Sequence, residues 1–262
     1  MKAIIFEGNT DERIDRVIET GSIPCHQNFA NVIQSLNPNI KCEYAFPTRA
    51  DYELIGTDEL KGYDFVFWTG SSLNAYDDMV EVTNQIKQAE LVFESGTPFY
   101  GSCWGLQIAV MASGGMVAPS KNGYEFGVAK DIIMTDAGAN HPMLKGRENK
   151  PYASFCVHNS ETTVIPDGAT LLASNKHSNV QALEIKHNGG IFWGVQYHPE
   201  FDRKRSYQSM KRSRNEYERL GLIDTNKTNE QIIDDMISGW ENDLTTDIRL
   251  IEIENFINHF SA

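Results

Sequence analysis

Hydrophobic positions along the chain alternate between short unbroken runs and helical stripes. Ala3-Ile4-Ile5-Phe6 is an unbroken apolar run, as expected of a strand covered on both faces, and residues 64–68 form a similar one. Between them the pattern predicts helices over 11–19 and 27–36 and a strand over 40–44. Residues 77–94 carry the clearest helical period. Met79, Val82, Ile86, Ala89 and Phe93 recur at steps of three and four, Asp77 and Asp78 stand at the favourable N-terminal end, and Gly96 supplies a stop. This alternation predicts an α/β fold with a mostly parallel sheet, helices on both faces, and a site at the C-terminal ends of the strands. From 117 to 195 the runs shorten between turn signals (136–138, Asp167-Gly168, Asn188-Gly189-Gly190), which predicts an antiparallel section. Beyond Asp202 come helical stretches over 203–220, 229–240 and 246–260, the last with an apolar stripe of Leu250, Ile253, Phe256, Ile257 and Phe260. The expected organisation is one catalytic domain over 1–201 and a helical C-terminal extension over 202–262 packed on it.

Two segments carry chemistry. Gly101-Ser102-Cys103-Trp104-Gly105 follows a strand-like run and opens an apolar helical one, the nucleophile-elbow pattern with Cys in place of Ser. Such a turn holds its central residue in a strained conformation at a helix N-terminus, where free N–H groups favour the thiolate. Taken singly, the same residues also describe a buried Cys beside a tight turn. The second segment, Gly194-Val195-Gln196-Tyr197-His198-Pro199-Glu200, follows the run Ile191-Phe192-Trp193. Pro199 favours extended backbone at His198, so Glu200 shares a side with it and reaches one ring nitrogen, leaving the other for a thiol. Taken singly, this is a surface turn. Together the segments supply a nucleophile, a base and a group that orients the base.

In these motifs, GSCWGLQ and GVQYHPE, residues 2–201 resemble a class I (triad-type) glutamine amidotransferase domain, in a stand-alone form. The order discriminates, because an α/β-hydrolase places its acid between nucleophile and His. The resemblance implies a flavodoxin-like sheet and a Cys103–His198–Glu200 triad. It also implies an oxyanion hole from the N–H of Gly70 or Ser71, after the strand 64–68, with that of Trp104. Gln107 stands where the family contacts the glutamine-like part of the substrate, and Glu125, in Tyr124-Glu125-Phe126-Gly127, where a Glu is usual. His158 matches a family His before a Pro turn, here Val164-Ile165-Pro166. Ser160 stands where the family has an Asp that holds the substrate's ammonium. Ser160 accepts a hydrogen bond but supplies no charge, so either another carboxylate compensates or the substrate differs. The implied activity is glutamine hydrolysis through a γ-glutamyl thioester, with ammonia passed to a separate synthetase subunit. The alternatives are a self-contained γ-glutamyl hydrolase or peptidase and, from another class, a catalytically silent regulatory module.

Composition narrows the setting. The 262 residues carry a formal net charge of −13, which disfavours nucleic acid and anionic membranes as partners. No stretch of apolar residues reaches membrane-spanning length and Met1-Lys2 leads straight into a strand, so a cytoplasmic protein is expected. The four Cys lack framework spacing and read as reduced thiols, with Cys25, Cys42 and Cys156 as packing residues. The pairs Cys25-His26 and Cys156-x-His158 lack metal-site spacing, so no metal is expected. No P-loop or G-x-G-x-x-G is present and no cofactor is expected, which leaves any ATP-dependent half to another polypeptide. The basic stretch Lys204, Arg205, Lys211, Arg212 and Arg214 is too poor in aromatics for nucleic acid. The extension is expected to pack on its own domain, with a homodimer or partner face as the alternative.

Overall fold

The computed structural model describes residues 1–148 and 150–261. In chain order the first half contains β1 (Lys2–Phe6), α1 (Asp11–Glu19), α2 (Cys25–Leu36), β2 (Lys41–Ala45), α3 (Thr57–Leu60), β3 (Phe65–Trp68), α4 (Val80–Ser95), β4 (Phe99–Ser102) and α5 (Trp104–Ala112). The middle contains β5 (Met116–Pro119), β6 (Glu125–Met134), α6 (Asp136–Ala139), a 3-10 turn (Pro142–Leu144), β7 (Tyr152–His158), β8 (Ser160–Val164), β9 (Ala169–Ser174), β10 (Ala182–His187) and β11 (Gly190–Val195). Helices α7 (Arg203–Arg219), α8 (Asn229–Ile237), α9 (Thr246–Arg249) and α10 (Ile251–Phe260) follow.

The main sheet has the order β2-β1-β3-β4-β11-β10-β9-β6-β7. Pairing is parallel from β2 to β11 and antiparallel from β11 to β7. The parallel strands alternate their side chains between two cores, one on each sheet face. Ile5, Phe65 and Phe67 join Phe29 of α2, whereas Phe6, Val66 and Trp68 join Phe93 of α4 and Leu106 of α5. Because β4 and β11 are adjacent and parallel, the chain segments leaving their C-terminal ends emerge side by side, and those segments carry Cys103 and His198.

Helix boundaries differ from the sequence pattern for local reasons. Helix α4 starts at Val80, not Asp77, because Asp77 is engaged in a turn in which its carboxylate accepts from Asn74 Nδ2 at 2.9 Å. Met79 is therefore an exposed cap residue outside the apolar stripe. Gly96 does end the helix, in the left-handed region at φ 75°. Helix α2 starts earlier, at Cys25, with Pro24 as its cap residue. Residues 136–138, expected as a turn, lie in the short helix α6, capped by the Thr135 side chain. The last helical stretch breaks at Leu250 into α9 and α10.

The C-terminal helices share the sheet's core. Leu250, Ile253, Phe256 and Ile257 lie in the same cluster as β1 and β3, and the Phe256 ring centroid is 5.4 Å from that of Phe67 and 5.6 Å from that of Tyr100. Glu252 of α10 is fully buried and ion-paired with Arg147 at 2.6 Å. It also accepts from Tyr197 Oη at 2.7 Å. Arg249 donates to the carbonyl of Pro199. The segment that carries His198 is thus clamped from the C-terminal end of the chain. Among the described residues no helix is long and apolar enough to cross a membrane.

Candidate active site

Strand β4 ends at Ser102 and α5 begins at Trp104, so Cys103 alone makes the turn. Its φ of 52° and ψ of −100° lie outside the regions a side chain ordinarily adopts, a strain of about 1–3 kcal/mol that the surroundings must hold. The Cys103 N–H donates to Val195 O at 2.8 Å, which ties the elbow to β11. The flanking glycines are sterically required. A Cβ on Gly101 would lie 2.6 Å from the carbonyl carbon of Gly105, and one on Gly105 would lie 2.8 Å from the Trp68 carbonyl oxygen.

His198 enters from the loop after β11, with its own N–H donating to Phe155 O at 2.7 Å. One ring nitrogen, Nδ1, lies 2.7 Å from Glu200 Oε1, and the Cys103 sulfur, which itself donates to Val157 O at 3.8 Å, is near enough for its charge to act on the ring. The backbone route to this pair differs from the extended one expected. His198 to Phe201 is a turn, closed by Phe201 N–H to His198 O at 3.1 Å, and it brings Glu200 back under the ring. Ser102 Oγ donates to Glu200 Oε1 at 3.0 Å, and Asn28 Nδ2 donates to the Glu200 carbonyl at 2.9 Å. Phe201 stacks on the imidazole at 4.2 Å between centroids. Burial opposes a charge on His198, but the Glu200 carboxylate and the Cys103 sulfur overcome it and push the imidazole up to about 10.

Gly70 and Ser71 line the same cleft as Cys103 and Trp104. A Cβ on Gly70 would lie 2.7 Å from His198 Cε1, so only glycine lets the ring stand there. The Trp104 N–H belongs to the first turn of α5, where backbone donors have no intrahelical acceptor. The loop after β3 is fixed by residues that sequence reasoning passed over. Asn9 Nδ2 donates to Gly70 O at 3.1 Å, and Asn9 Oδ1 accepts from Ser72 N–H at 3.1 Å. Glu7, fully buried, holds Asn9 from below and pairs with His26 at 2.8 Å. The available signal was a Glu and an Asn directly after a buried strand, at the sheet edge where such folds place their sites.

At the other end of the cleft Gln107, Tyr124, His158, Asn159 and Ser160 line the wall. Gln107 Nε2 donates to Ser160 O at 3.3 Å and to Gln196 Oε1 at 3.2 Å. Ser160 Oγ donates to Asn159 Oδ1 at 3.3 Å, so no carboxylate stands at that position. Glu161 turns away and accepts from Lys121 N–H. Glu125, expected to meet the substrate, does not line the cleft. It lies behind His158, 2.8 Å from its Nε2, and accepts also from Asn175 and Gln181. Burial alone would raise the Glu125 carboxyl; the hydrogen bond and charge of His158, with the two amides, lower it instead.

Glu125, His158 and His177 form the one potential three-residue ligand group among the described residues. Both ring nitrogens of His158 already have partners, Glu125 Oε2 at 2.8 Å and Ser160 O at 3.0 Å. Cys25, expected as a packing residue, lines the cleft, where Arg205 Nη2 donates to its sulfur at 3.3 Å. Burial, then the Glu7 charge, push the Cys25 thiol up to about 11, away from nucleophilic use.

The cleft measures about 340 Å³, within the roughly 300–1,000 Å³ usual for small-molecule sites. Its remaining wall includes Arg13 and Val17 of α1 and the face of α7 that presents Arg205, Ser209, Arg212, Ser213, Glu216 and Tyr217 at helical steps of three and four.

The family model for "Glutamine amidotransferase class-I" matches residues 25–214. A γ-glutamyl-L-1-hydroxyisopropylamide hydrolase from Pseudomonas sp. is 38% identical over 204 residues, which cover 76% of this chain and 68% of that protein. A glutamine-hydrolysing GMP synthase from Mannheimia succiniciproducens is 29% identical over 175 residues, covering 65% of this chain; the match spans only 32% of that enzyme's length. A solved glutamine amidotransferase from Thermotoga maritima has a TM-score of 0.73 at 14% identity, covering 99% of this chain and 97% of that one. One from Methylobacillus flagellatus has a TM-score of 0.68 at 18% identity, covering 98% and 90%. At these identities the two structures report the fold.

Proposed function

The chain belongs to the class I glutamine amidotransferase family, and from that premise we propose that it is a self-contained hydrolase of γ-glutamyl amides. Cys103 is the nucleophile, His198 the acid and base, and Glu200 the group that orients His198. The Cys103 thiolate adds to the γ-carbonyl carbon, and the oxyanion accepts from the N–H of Trp104 and of Gly70 or Ser71. The C–N bond then breaks as protonated His198 gives its proton to the departing amine, leaving a γ-glutamyl thioester. Water adds to the thioester with loss of a proton to His198. The C–S bond breaks, and glutamate and the thiolate are released. Gln107, His158 and Ser160 line the part of the cleft assigned to the glutamyl group.

The observation that carries this reading is α7. It lines the cleft with a helix of the same chain, its Arg205 standing beside Phe201, the ring stacked on His198, and we take this as the side on which the amine leaves. A subunit that passes ammonia to a synthetase would have to open that side to its partner. The Pseudomonas hydrolase, matched over most of its own length, supports the same reading. The GMP synthase relatives favour the second reading, a glutaminase subunit serving a separate synthetase, because only the matched third of their length corresponds to this chain. The test is to incubate the chain alone with glutamine, γ-glutamyl-alaninol and γ-glutamyl-alanine, and to quantify ammonia, free amine and glutamate beside Cys103→Ala. Faster Cys103-dependent release of a substituted amine than of ammonia is expected. Turnover of glutamine alone, and only with a synthetase added, would replace this reading by the second.

A further inference from the structure

Net charge and local charge disagree at the cleft. The chain carries −13 overall, yet Arg13, Arg205 and Arg212 line this one cavity. Outward arginines of α7 have acidic partners, Arg203 with Asp234 and Arg214 with Glu218 at 2.7 Å. Among the described residues, the three that line the cleft have no carboxylate within ion-pair distance, 4.0 Å. Arg205 is only 5% exposed and donates to neutral groups, the Ile23 carbonyl and the Cys25 sulfur. Arg212 donates to Ser209 Oγ, and its Nε is buried without a partner. Buried guanidinium groups are normally paired, since an uncompensated charge in the interior costs several kcal/mol. Burial and the neighbouring charges of Arg13 and Arg205 press the Arg212 guanidinium down to about 10, as expected of cations gathered without a counter-ion.

The position of the arginines within the cleft gives them a role. Arg205 sits 5.5 Å from the Phe201 ring centroid, and Phe201 stacks on His198 at 4.2 Å. Arg205 is thus on the side of His198, the group that protonates the departing amine, and Arg13 and Arg212 are near enough for their charges to act on one another. Glu216, the one carboxylate among the described residues lining the cleft, stands one helical turn beyond Arg212, where its charge acts on Tyr124 of the opposite end. Resting on the hydrolase reading above, we propose that Arg13, Arg205 and Arg212 bind an anionic carboxylate on the departing amine, so that the preferred substrates are γ-glutamyl amino acids or short γ-glutamyl peptides. The reach is consistent. An extended residue spans about 3.3–3.6 Å, so an amine of one or two residues carries its carboxylate from His198 to the Arg205 side of Phe201.

The test compares γ-glutamyl-alanine with γ-glutamyl-alaninamide, which differ only in that charge. The unmodified protein is expected to hydrolyse the acid with a kcat/KM at least tenfold above that of the amide. Arg212→Gln and Arg13→Gln are each expected to lower that ratio about tenfold. Equal kcat/KM for both substrates, or an unchanged ratio in both variants, overturns the assignment while leaving the hydrolase reading in place. Calorimetric binding of both compounds to Cys103→Ala separates the two ideas if neither is hydrolysed. Preferential binding of the acid then keeps the arginine assignment and removes the hydrolase reading, and equal binding, or none, removes both.

Discussion

His198 is held between the Glu200 carboxylate and the Cys103 sulfur, and its environment sets a pH dependence. With its proton retained up to about 10, it stays a general acid through neutral pH, and kcat/KM should hold to the alkaline side and fall only as pH rises toward 10. The same shift has a stability sign. Because the folded value lies above the ordinary imidazole value of 6.5, the protonated ring contributes stability that is fully present below 6.5 and is lost as pH climbs through about 10. Glu200→Gln removes the charge but keeps the shape. It should lower kcat by about 10²–10⁴ and move the alkaline limb to lower pH, both read from a pH–rate series. At Gly70 the constraint is steric: an added methyl meets His198 Cε1 at 2.7 Å. Gly70→Ala should cost about 10²-fold in kcat/KM with little change in thermal midpoint, since the ring must shift to admit the methyl. The elbow at Cys103 was legible at this scale because its motif is continuous in sequence. Glu7 and Asn9 were not, because they act through the loop 70–72, sixty residues away in the chain.

Helices α7 and α10 reach the site in different ways. Helix α10 stabilises it from behind. Phe256 is fully buried against Phe67, Tyr100 and Trp193, so Phe256→Ala should destabilise the protein by about 3–5 kcal/mol, measured by denaturant unfolding. Glu252→Gln leaves Arg147 buried with its charge uncompensated, and should cost about 3–5 kcal/mol in the same assay. Because Tyr197 bonds Glu252, this variant should also raise the sensitivity of kcat to temperature. The apolar stripe of α10 was visible in the sequence; which surface it covers was not, since periodicity identifies a face without its partner. Helix α7 reads as a charged, solvated helix in sequence, yet two of its arginines turn inward to the cleft while Arg203 and Arg214 pair on the outside. A one-dimensional charge pattern cannot separate the two sets.

For the whole molecule, the shared core implies that the segment after Phe201 is needed for folding as well as for closing the cleft. A chain ending at Phe201 would expose the face of β3 and β4 that Phe256 covers, and it should be recovered as aggregate or as a species without a cooperative thermal transition. A folded, fully active truncation would assign α7–α10 a role outside the site. The sequence by itself determined the parallel strands, the elbow at Cys103 and the antiparallel section, because each is written in neighbouring residues whose spacing the backbone converts directly into geometry; it paired His198 with Glu200, but on an extended backbone where the structure has a turn. Only the tertiary structure decided that Glu125 lies behind His158 and that Cys25 faces the cleft. It alone brought Arg13 together with Arg205 and Arg212, from helices nearly two hundred residues apart, into one wall. These placements depend on which sheet edge and which helix face meet, and burial and pairing across the assembled core select that meeting, not any local preference of the chain.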